Sequence, residues 1–160
     1  MRLLIMALAL TLSPIVNAID GNYLCIPEKS TGFVLKDDKW SQASFNVENE
    51  KYIIKKIEEE AKKEYEKDDI PYGEYGVYRF GEKYPEYRNC EYTERDSTIL
   101  TPTGERRFYC DGILRGQFIL NLKNNRFLNT FPLGYWSEEL FSGEEDTRTP
   151  FIQIGRCSKL

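Results

Sequence analysis

The sequence predicts a mainly β protein: an antiparallel sandwich or small barrel of about eight strands, with one helix and two disulfides. Three observations support this prediction. Short segments alternate apolar and polar residues, turn-forming residues separate these segments, and four cysteines are spread widely along the chain. Alternation with a period of two is typical of strands that bury one face, and evenly spaced short strands are typical of sandwiches and barrels.

Residues 1–18 have the pattern of a cleavable signal peptide. Arg2 supplies a positive charge, residues 3–12 are apolar with one exception, and the small residue Ala18 ends the segment. This arrangement is typical of secretory signals. The alternative, an uncleaved anchor, requires roughly 20 apolar residues, more than are present. We therefore predict cleavage after Ala18, one domain over residues 19–160 without a membrane span, and a periplasmic or secreted location.

Two strands are predicted near the start of the domain. Residues 22–26 form the first, because Pro27 cannot donate to a strand ladder and Thr31-Gly32 is typical of a turn. Residues 40–47 form the second, because their side chains alternate between apolar and polar. Short strands joined by turns are therefore expected in this part of the chain.

Residues 51–67 fit two interpretations. The β-branched cluster near their start favours a strand over 51–56, whereas 58–67 are rich in helix formers and carry Glu–Lys pairs four residues apart. One long helix over 48–67 is the alternative, because four apolar residues in this stretch also follow helical spacing. We predict the strand followed by the helix.

The remaining chain predicts one strand, a long irregular stretch and four further strands. Residues 75–80 alternate as a strand, whereas 84–105 contain two prolines and many polar residues and are predicted to be irregular. Tight hairpin-type turns are predicted at Asp111-Gly112 and at Asn124-Asn125. The later strands are predicted over residues 107–110, 116–122, 126–131 and 151–157.

The four cysteines predict two disulfides. An even number of cysteines in an exported chain is typical of disulfide pairing, whereas zinc sites favour closely spaced cysteines, often with histidine. Three pairings are open. We favour Cys25–Cys157, which would tie together the two ends of the domain, and Cys90–Cys110, which would close a short excursion.

The composition excludes several classes of function. The chain contains no histidine, so it cannot build Ser–His–Asp or Cys–His catalytic sites or histidine metal centres. Phosphate-binding and dinucleotide-binding glycine motifs do not appear in the sequence either. The net charge of −4 argues against nucleic acid as a partner. We therefore predict no catalytic, cofactor-binding or metal-binding residues and no cofactor.

Aromatic residues supply the candidate binding surfaces. Tyrosines are frequent between residues 65 and 92, and Tyr72, Tyr75 and Tyr78 are the candidates for a recognition surface, because tyrosine offers a large contact area and a polar tip. The alternative is ordinary packing in a sheet. Aromatic residues that could line a pocket, or simply fill the core, are found in Gly32-Phe33, at Trp40 and in Gly134-Tyr135-Trp136.

Three stretches of the chain carry a resemblance to known proteins. They are Tyr23-Leu24-Cys25 with Thr31-Gly32-Phe33, Cys110-Asp111-Gly112 with Phe118 and Arg126-Phe127, and Gly134-Tyr135-Trp136 with residues 149–157. Together they resemble small exported proteins of Gram-negative bacteria, a group without an established activity. The resemblance implies an exported, β-rich protein and assigns no site residues. The chain is also superficially similar to periplasmic lysozyme inhibitors, but it lacks their Ser-Gly-x-x-Tyr signature after Ser142-Gly143.

Three functions are open from the sequence. The first is a binding module whose partner is an envelope protein or a small molecule, held by the tyrosine-rich segment or by a barrel mouth. The second is a histidine-free hydrolase of cell-wall or polysaccharide material, which requires a cleft with two acids, at least one with a raised pKa. The third is a structural component of the envelope. The acidic residues 142–146 are interpreted as a solvated loop, because they lack the ligand spacing of a calcium loop.

Overall fold

The computed structural model of the chain describes residues 21–37, 39–95, 105–112, 116–132 and 149–160. These residues form one helix and a sheet of nine strands. The elements are β1 (Tyr23–Lys36), β2 (Lys39–Phe45), β3 (Tyr52–Lys56), α1 (Glu59–Lys67), β4 (Tyr75–Arg79), β5 (Tyr87–Arg95), β6 (Glu105–Gly112), β7 (Gln117–Asn121), β8 (Arg126–Phe131) and β9 (Phe151–Lys159).

The sheet closes into an antiparallel barrel of eight strands, with β2 as an extra strand. The strand order is β2-β1-β3-β4-β5-β6-β7-β8-β9, and pairing of β1 with β9 closes the barrel. β1 is long enough to have two partners on one edge: its start pairs with β3 and its second half pairs with β2. Of the two predicted architectures, sandwich and barrel, the pairing of β1 with β9 shows that the fold is a barrel.

Alternating side chains from the barrel strands fill its interior. Phe118 is completely buried; its ring stacks on Phe127 at 4.9 Å and meets Tyr52 edge to face at 5.8 Å. Tyr75 packs edge to face on the buried Phe108 at 5.9 Å. A barrel of eight strands is just wide enough for side chains to fill, and the interior of this barrel is a packed core.

Both predicted disulfides are confirmed. Cys25 lies directly opposite Cys157 on β1 and β9, and Cys90 lies directly opposite Cys110 on β5 and β6. All four side chains are buried in the core cluster. Each disulfide therefore joins neighbouring strands, and the first lies at the pairing that closes the barrel.

Helix α1 begins and ends close to its predicted limits and lies outside the barrel. Ile57, Ala61 and Tyr65 form a small buried cluster of their own. The outward-facing Tyr78 of β4 lies near Tyr65 and Glu58. Burial raises the pKa of Tyr78 to about 12, and a hydrogen bond with the Glu58 backbone opposes this shift. The strand at Tyr52–Lys56 confirms the interpretation of a strand followed by a helix.

The prediction that Pro27 ends a first strand and that Thr31-Gly32 forms a turn is wrong. β1 continues as one strand to Lys36, and a register shift between Pro27 and Lys29 accommodates the proline. A bulge leaves a residue out of the ladder, so a missing N–H is tolerated there. Gly32 serves close packing and not a turn, because a Cβ at this position would lie 2.9 Å from the Phe45 ring.

The prediction of an irregular stretch over 84–105 is wrong for residues 87–95, which form β5. A register shift between Tyr87 and Asn89 breaks the alternation in this strand, so the sequence pattern hides it. Asp111-Gly112 is also not a turn: both residues belong to β6 and pair with β5. In both places, pairing with a distant strand outweighs the local signals.

The predicted turn at Asn124-Asn125 is confirmed. Asn125 has a φ of 57°, and the Asn124 side chain accepts a hydrogen bond from the Arg126 N–H at 3.0 Å. The predicted signal peptide, the aromatic residues 134–136 and the acidic residues 142–146 lie outside the described residues.

Candidate binding site at the mouth of the barrel

One end of the barrel, here called the mouth, gathers polar and aromatic side chains. Strand direction alternates in an antiparallel barrel. The last residues of β4, β6 and β8 therefore lie at the same end of the barrel as the first residues of β3, β5, β7 and β9. Arg79 ends β4, Phe131 ends β8, Tyr87 begins β5 and Phe151 begins β9. The mouth therefore combines residues that are distant in sequence.

Five side chains at the mouth form one hydrogen-bond network, here called the polar cluster. Asn129 and Gln153 are buried and pair across β8 and β9. The Tyr87 hydroxyl donates to Asn129 Oδ1, and the Asn129 amide donates to the Tyr52 hydroxyl oxygen and to Gln153 Oε1, both at 3.3 Å. The Gln153 amide and the Tyr52 hydroxyl both donate to Glu50 Oε2, at 2.6 and 3.2 Å. A connected network of this kind holds its members in one arrangement.

Glu86 lies beside the polar cluster and has a perturbed carboxyl group. Burial raises its pKa; Arg79, whose Nε lies 3.6 Å from Glu86 Oε2, opposes the shift, and Glu50 adds to it. Burial also raises the pKa of the Tyr52 and Tyr87 hydroxyls, and the Glu86 carboxylate adds to both shifts. Two carboxyl groups thus lie near the same phenols, one with a raised pKa.

This carboxyl pair meets one requirement of the hydrolase hypothesis, the raised pKa. A hydrolase also needs a cleft in which a substrate bond can lie between its two acids. Glu50 and Glu86 line neither the apolar groove nor the cavity at the end of α1 that are described below. In addition, Glu50 is engaged by Gln153 and Tyr52. Among the described contacts, Glu50 accepts hydrogen bonds within the polar cluster, whereas Glu86 lies outside the cluster and faces Arg79.

An apolar groove of about 340 Å³ opens at the mouth. The groove adjoins the polar cluster along β8 and β9. On β8, Phe131 lies two residues after Asn129, and on β9, Phe151 lies two residues before Gln153, so each phenylalanine is the next inward position towards the mouth. Gln42 and Thr31 contribute polar atoms at its margin. Its apolar lining consists mainly of Phe33, Phe131, Pro132, Pro150, Phe151 and Ile152.

The groove exists because β1 and β2 continue beyond the start of β9. Pairing of β1 with β9 stops at Gly32 and Phe151, whereas pairing with β2 continues to Lys36. The Phe33 N–H donates to the Pro150 carbonyl at 3.1 Å, which keeps the projecting hairpin against the end of β9. The hairpin forms one wall of the groove, and the Phe131 and Phe151 rings, stacked at 6.0 Å, lie at the other.

The groove keeps large apolar side chains in contact with solvent. Phe33 is 52% exposed and Ile152 is 53% exposed, although both line a concave surface. Exposed apolar side chains that surround a concavity mark binding sites more often than scattered ones do. An apolar cavity of roughly 150 Å³ accepts benzene, so the volume of this groove suits a bicyclic ring system or a short aliphatic chain.

The structure separates the three tyrosines that were predicted to form a binding surface. Tyr75 lies inside the barrel and is 6% exposed, and Tyr78 is 2% exposed on the outer side of β4. Tyr72 is partly buried; its ring packs on Tyr65 at 5.8 Å and its hydroxyl donates to Glu66 at 2.7 Å. A partner can reach Tyr72 without opening the core, and binding through it stays a prediction.

The aromatic pair Gly32-Phe33 is the sequence candidate that the structure places in the groove. Phe131 and Phe151 were not predicted as groove residues, and the polar cluster was not predicted at all. A usable signal was present, because Asn129 and Gln153 occupy inward positions where the alternation calls for apolar residues. A buried polar residue at such a position requires partners, which predicts a network.

The described part of the chain contains no group of three or more His, Cys, Asp or Glu residues that could hold a metal ion. Among the same residues, no helix is both long enough and apolar enough to cross a membrane. A second cavity, of about 410 Å³, lies at the end of α1 beside Tyr65, Glu66 and Tyr72.

Comparisons with family models, with curated proteins and with solved structures find no match to this chain. Two disulfides are typical of proteins outside the cytoplasm.

Proposed function

We propose that the protein is an exported binding module whose groove at the mouth of the barrel holds a small apolar molecule. The apolar groove carries this proposal: it is open to solvent, has a volume of about 340 Å³ and exposes Phe33 and Ile152. Ligand sites are typically apolar concavities of this size with a few polar groups that orient the ligand. Gln42 would supply such a group, whereas the Thr31 hydroxyl donates to the Ala43 carbonyl at 3.0 Å and would serve only as an acceptor.

The hydrogen-bonded strands below the groove support a ligand site. The polar cluster lies next to it on β8 and β9, and its hydrogen bonds hold these two strands together from within. A preformed site loses less conformational entropy when the ligand binds. The groove therefore lies beside two strands that a buried hydrogen bond joins.

The proposed location is the periplasm or the extracellular space. The two disulfides require an oxidising compartment to persist. The signal-peptide pattern of residues 1–18 and the resemblance to small exported proteins of Gram-negative bacteria support the same location. Within this proposal, the ligand is a molecule of the bacterial envelope.

Two substitutions on one strand test the groove. Ile152→Glu places a charge in the groove, whereas Ile154→Glu places the same charge two residues further along the same outward face, outside the groove. Using the dye anilinonaphthalene sulfonate as the probe, we expect Ile152→Glu to weaken binding by about tenfold or more, because a charge is costly to desolvate against an apolar ligand. Ile154→Glu should bind like the wild type.

Equal dye binding by the wild type and Ile152→Glu would overturn the proposal, and so would equal losses in both variants. Native mass spectrometry of the protein exported by a bacterial host complements the dye. A retained apolar molecule that is lost from Ile152→Glu and kept by Ile154→Glu would identify the ligand class.

A further inference from the structure

We infer that the free edge of β2 pairs with the same edge of a second copy of this chain, which makes a twofold symmetric dimer. This inference is independent of the ligand proposed for the groove. Within the described residues, β2 pairs only with β1 and stands at the end of the strand order. A strand edge that is open to solvent is a template for another strand.

The backbone groups that face this free edge can be identified. In an antiparallel ladder, the N–H and C=O of one residue point to the same side, and the side alternates along the strand. The Phe33 N–H donates to Pro150, so it points away from β2. Its partner Gln42 therefore turns its own N–H and C=O to the free edge, and Ser44, two residues on, does the same.

The composition of β2 favours pairing along this edge. Proteins commonly protect edge strands with charges, proline or bulges. In β2 the only charged residue is Lys39, at its start; residues 40–45 are uncharged and contain no proline. The pairing of β2 with β1 is also continuous from Lys39 to Phe45, without a register shift. Within the described residues, β2 therefore has a continuous register and carries only Lys39 among these protective features.

The edge is complementary to itself. When a twofold axis passes beside Ala43, Gln42 of one copy lies opposite Ser44 of the other, and the reverse pair forms by symmetry. Both residues face the edge, so each pair exchanges both of its backbone hydrogen bonds. A single strand thus supplies both halves of an interface of the kind found in twofold dimers.

The charges near the two ends of β2 select a second copy in the antiparallel direction. In this pairing Lys39 of one copy comes beside the turn at residues 46–50 of the other, which contains Glu48. Lys39 and Glu48 are both exposed, and neither takes part in an ion pair within the described residues. A parallel arrangement would instead bring the two Lys39 side chains together, which is unfavourable.

Proline and alanine at position 44 test the edge. The Ser44 N–H faces the free edge, so Ser44→Pro removes a donor of the proposed interface and leaves the ladder with β1 intact, whereas Ser44→Ala keeps that donor. Circular dichroism and thermal unfolding of each variant check its folding and do not depend on the groove. Sedimentation velocity between about 5 and about 500 μM measures the association.

We expect the wild type and Ser44→Ala to dimerise with similar dissociation constants, and Ser44→Pro to dimerise about tenfold or more weakly. A wild type that stays monomeric over the whole range would overturn the inference. A dimer that Ser44→Pro leaves unchanged would overturn it too, because association would then use another surface.

Cysteine cross-linking tests the register. Ala43→Cys places identical cysteines beside the twofold axis, within the Cα separation that a disulfide spans, whereas Ser41→Cys faces Phe45 of the second copy. We expect oxidation by oxygen to cross-link Ala43→Cys into a dimer and to leave Ser41→Cys mainly uncross-linked. Equal cross-linking of both variants would contradict the proposed pairing.

Discussion

Two regions of the barrel interior are held together by different interactions. Around Phe118 the interior is apolar, with stacked and edge-to-face rings and two buried disulfides. Around Asn129 it is polar, and five side chains depend on one another for hydrogen bonds. Burial of apolar surface has no direction and tolerates small shifts, whereas a buried polar group is costly once its partner is lost. The apolar region therefore supplies most of the stability, and the polar cluster fixes the arrangement of the mouth.

Removing the disulfide that closes the barrel is expected to have the largest effect. Cys25→Ala with Cys157→Ala opens a loop with a sequence separation of 132, and the chain-entropy model gives a loss of about 5 kcal/mol in the free energy of unfolding. Cys90→Ala with Cys110→Ala opens one with a separation of 20, for which the same model gives about 3 kcal/mol. Denaturant unfolding of both double variants measures the difference. A larger loss for the second pair would contradict the entropic origin.

Phe118→Ala tests the apolar region without changing a covalent bond. Its ring contacts Tyr52, Tyr87 and Phe127 and is fully buried. We expect the free energy of unfolding to fall by about 3–5 kcal/mol, because a cavity replaces these contacts. Ile119→Ala is the matched control, since this neighbour points outward and is only partly buried. Equal losses at both positions would contradict the assignment of the core.

Asn129→Leu tests the polar cluster. The substitution keeps the position filled and removes the partner of the Tyr87 hydroxyl, so we expect a loss of about 2–3 kcal/mol. Adding Tyr87→Phe removes the hydroxyl that was left without a partner. The double variant should therefore lose less than the sum of the single losses, as measured by a double-mutant cycle from denaturant unfolding. Additive losses would show that the two residues do not act as a unit.

Glu86→Gln is expected to have the smallest effect and to depend on pH. The pKa of the Glu86 carboxyl is raised above its ordinary value of 4.5 in the fold. At a pH between the ordinary pKa of 4.5 and the raised pKa of the folded state, the folded protein keeps a proton that the unfolded chain has lost. Glu86 therefore reduces stability as the pH rises above 4.5. The variant should unfold at a temperature about 1–3 °C higher than the wild type at neutral pH and at the same temperature near pH 4.

Glu82→Gln serves as the control for this pH profile, because Glu82 is an exposed residue in the same connection between β4 and β5. Thermal unfolding followed by circular dichroism provides the measurement. A Glu86→Gln variant that is less stable than the wild type at neutral pH would show that the ion pair with Arg79 outweighs the cost of burial.

Some strands of the fold were more predictable than others. The strands from Gln117 to Phe131 and the turn between them were predicted closely, because their alternation is regular and Asn125 adopts the positive φ that asparagine tolerates. β1 and β5 were predicted poorly. Each contains a register shift, so its side-chain alternation changes phase within the strand and no single period describes it.

The site was less predictable than the fold. Gly32-Phe33 could be selected as a pocket candidate from its composition, but its partners Phe131 and Phe151 come from two other strands. The tyrosines of the middle segment have similar sequence neighbourhoods, yet one lies inside the barrel, one outside it and one beside the helix. The side of the sheet that a residue occupies depends on register, and register depends on the pairing partner.

The sequence by itself determined the β-rich class, the single helix and the cysteines available for pairing, because alternation, helix propensity and the number of cysteines are local or additive properties. Only the tertiary structure decided that the sheet closes into a barrel, that β2 remains at an edge and that an apolar groove lies above a polar cluster. These features depend on which strands pair and in which register. Pairing is set by the summed burial and hydrogen bonding of residues far apart in the chain, which no local pattern contains.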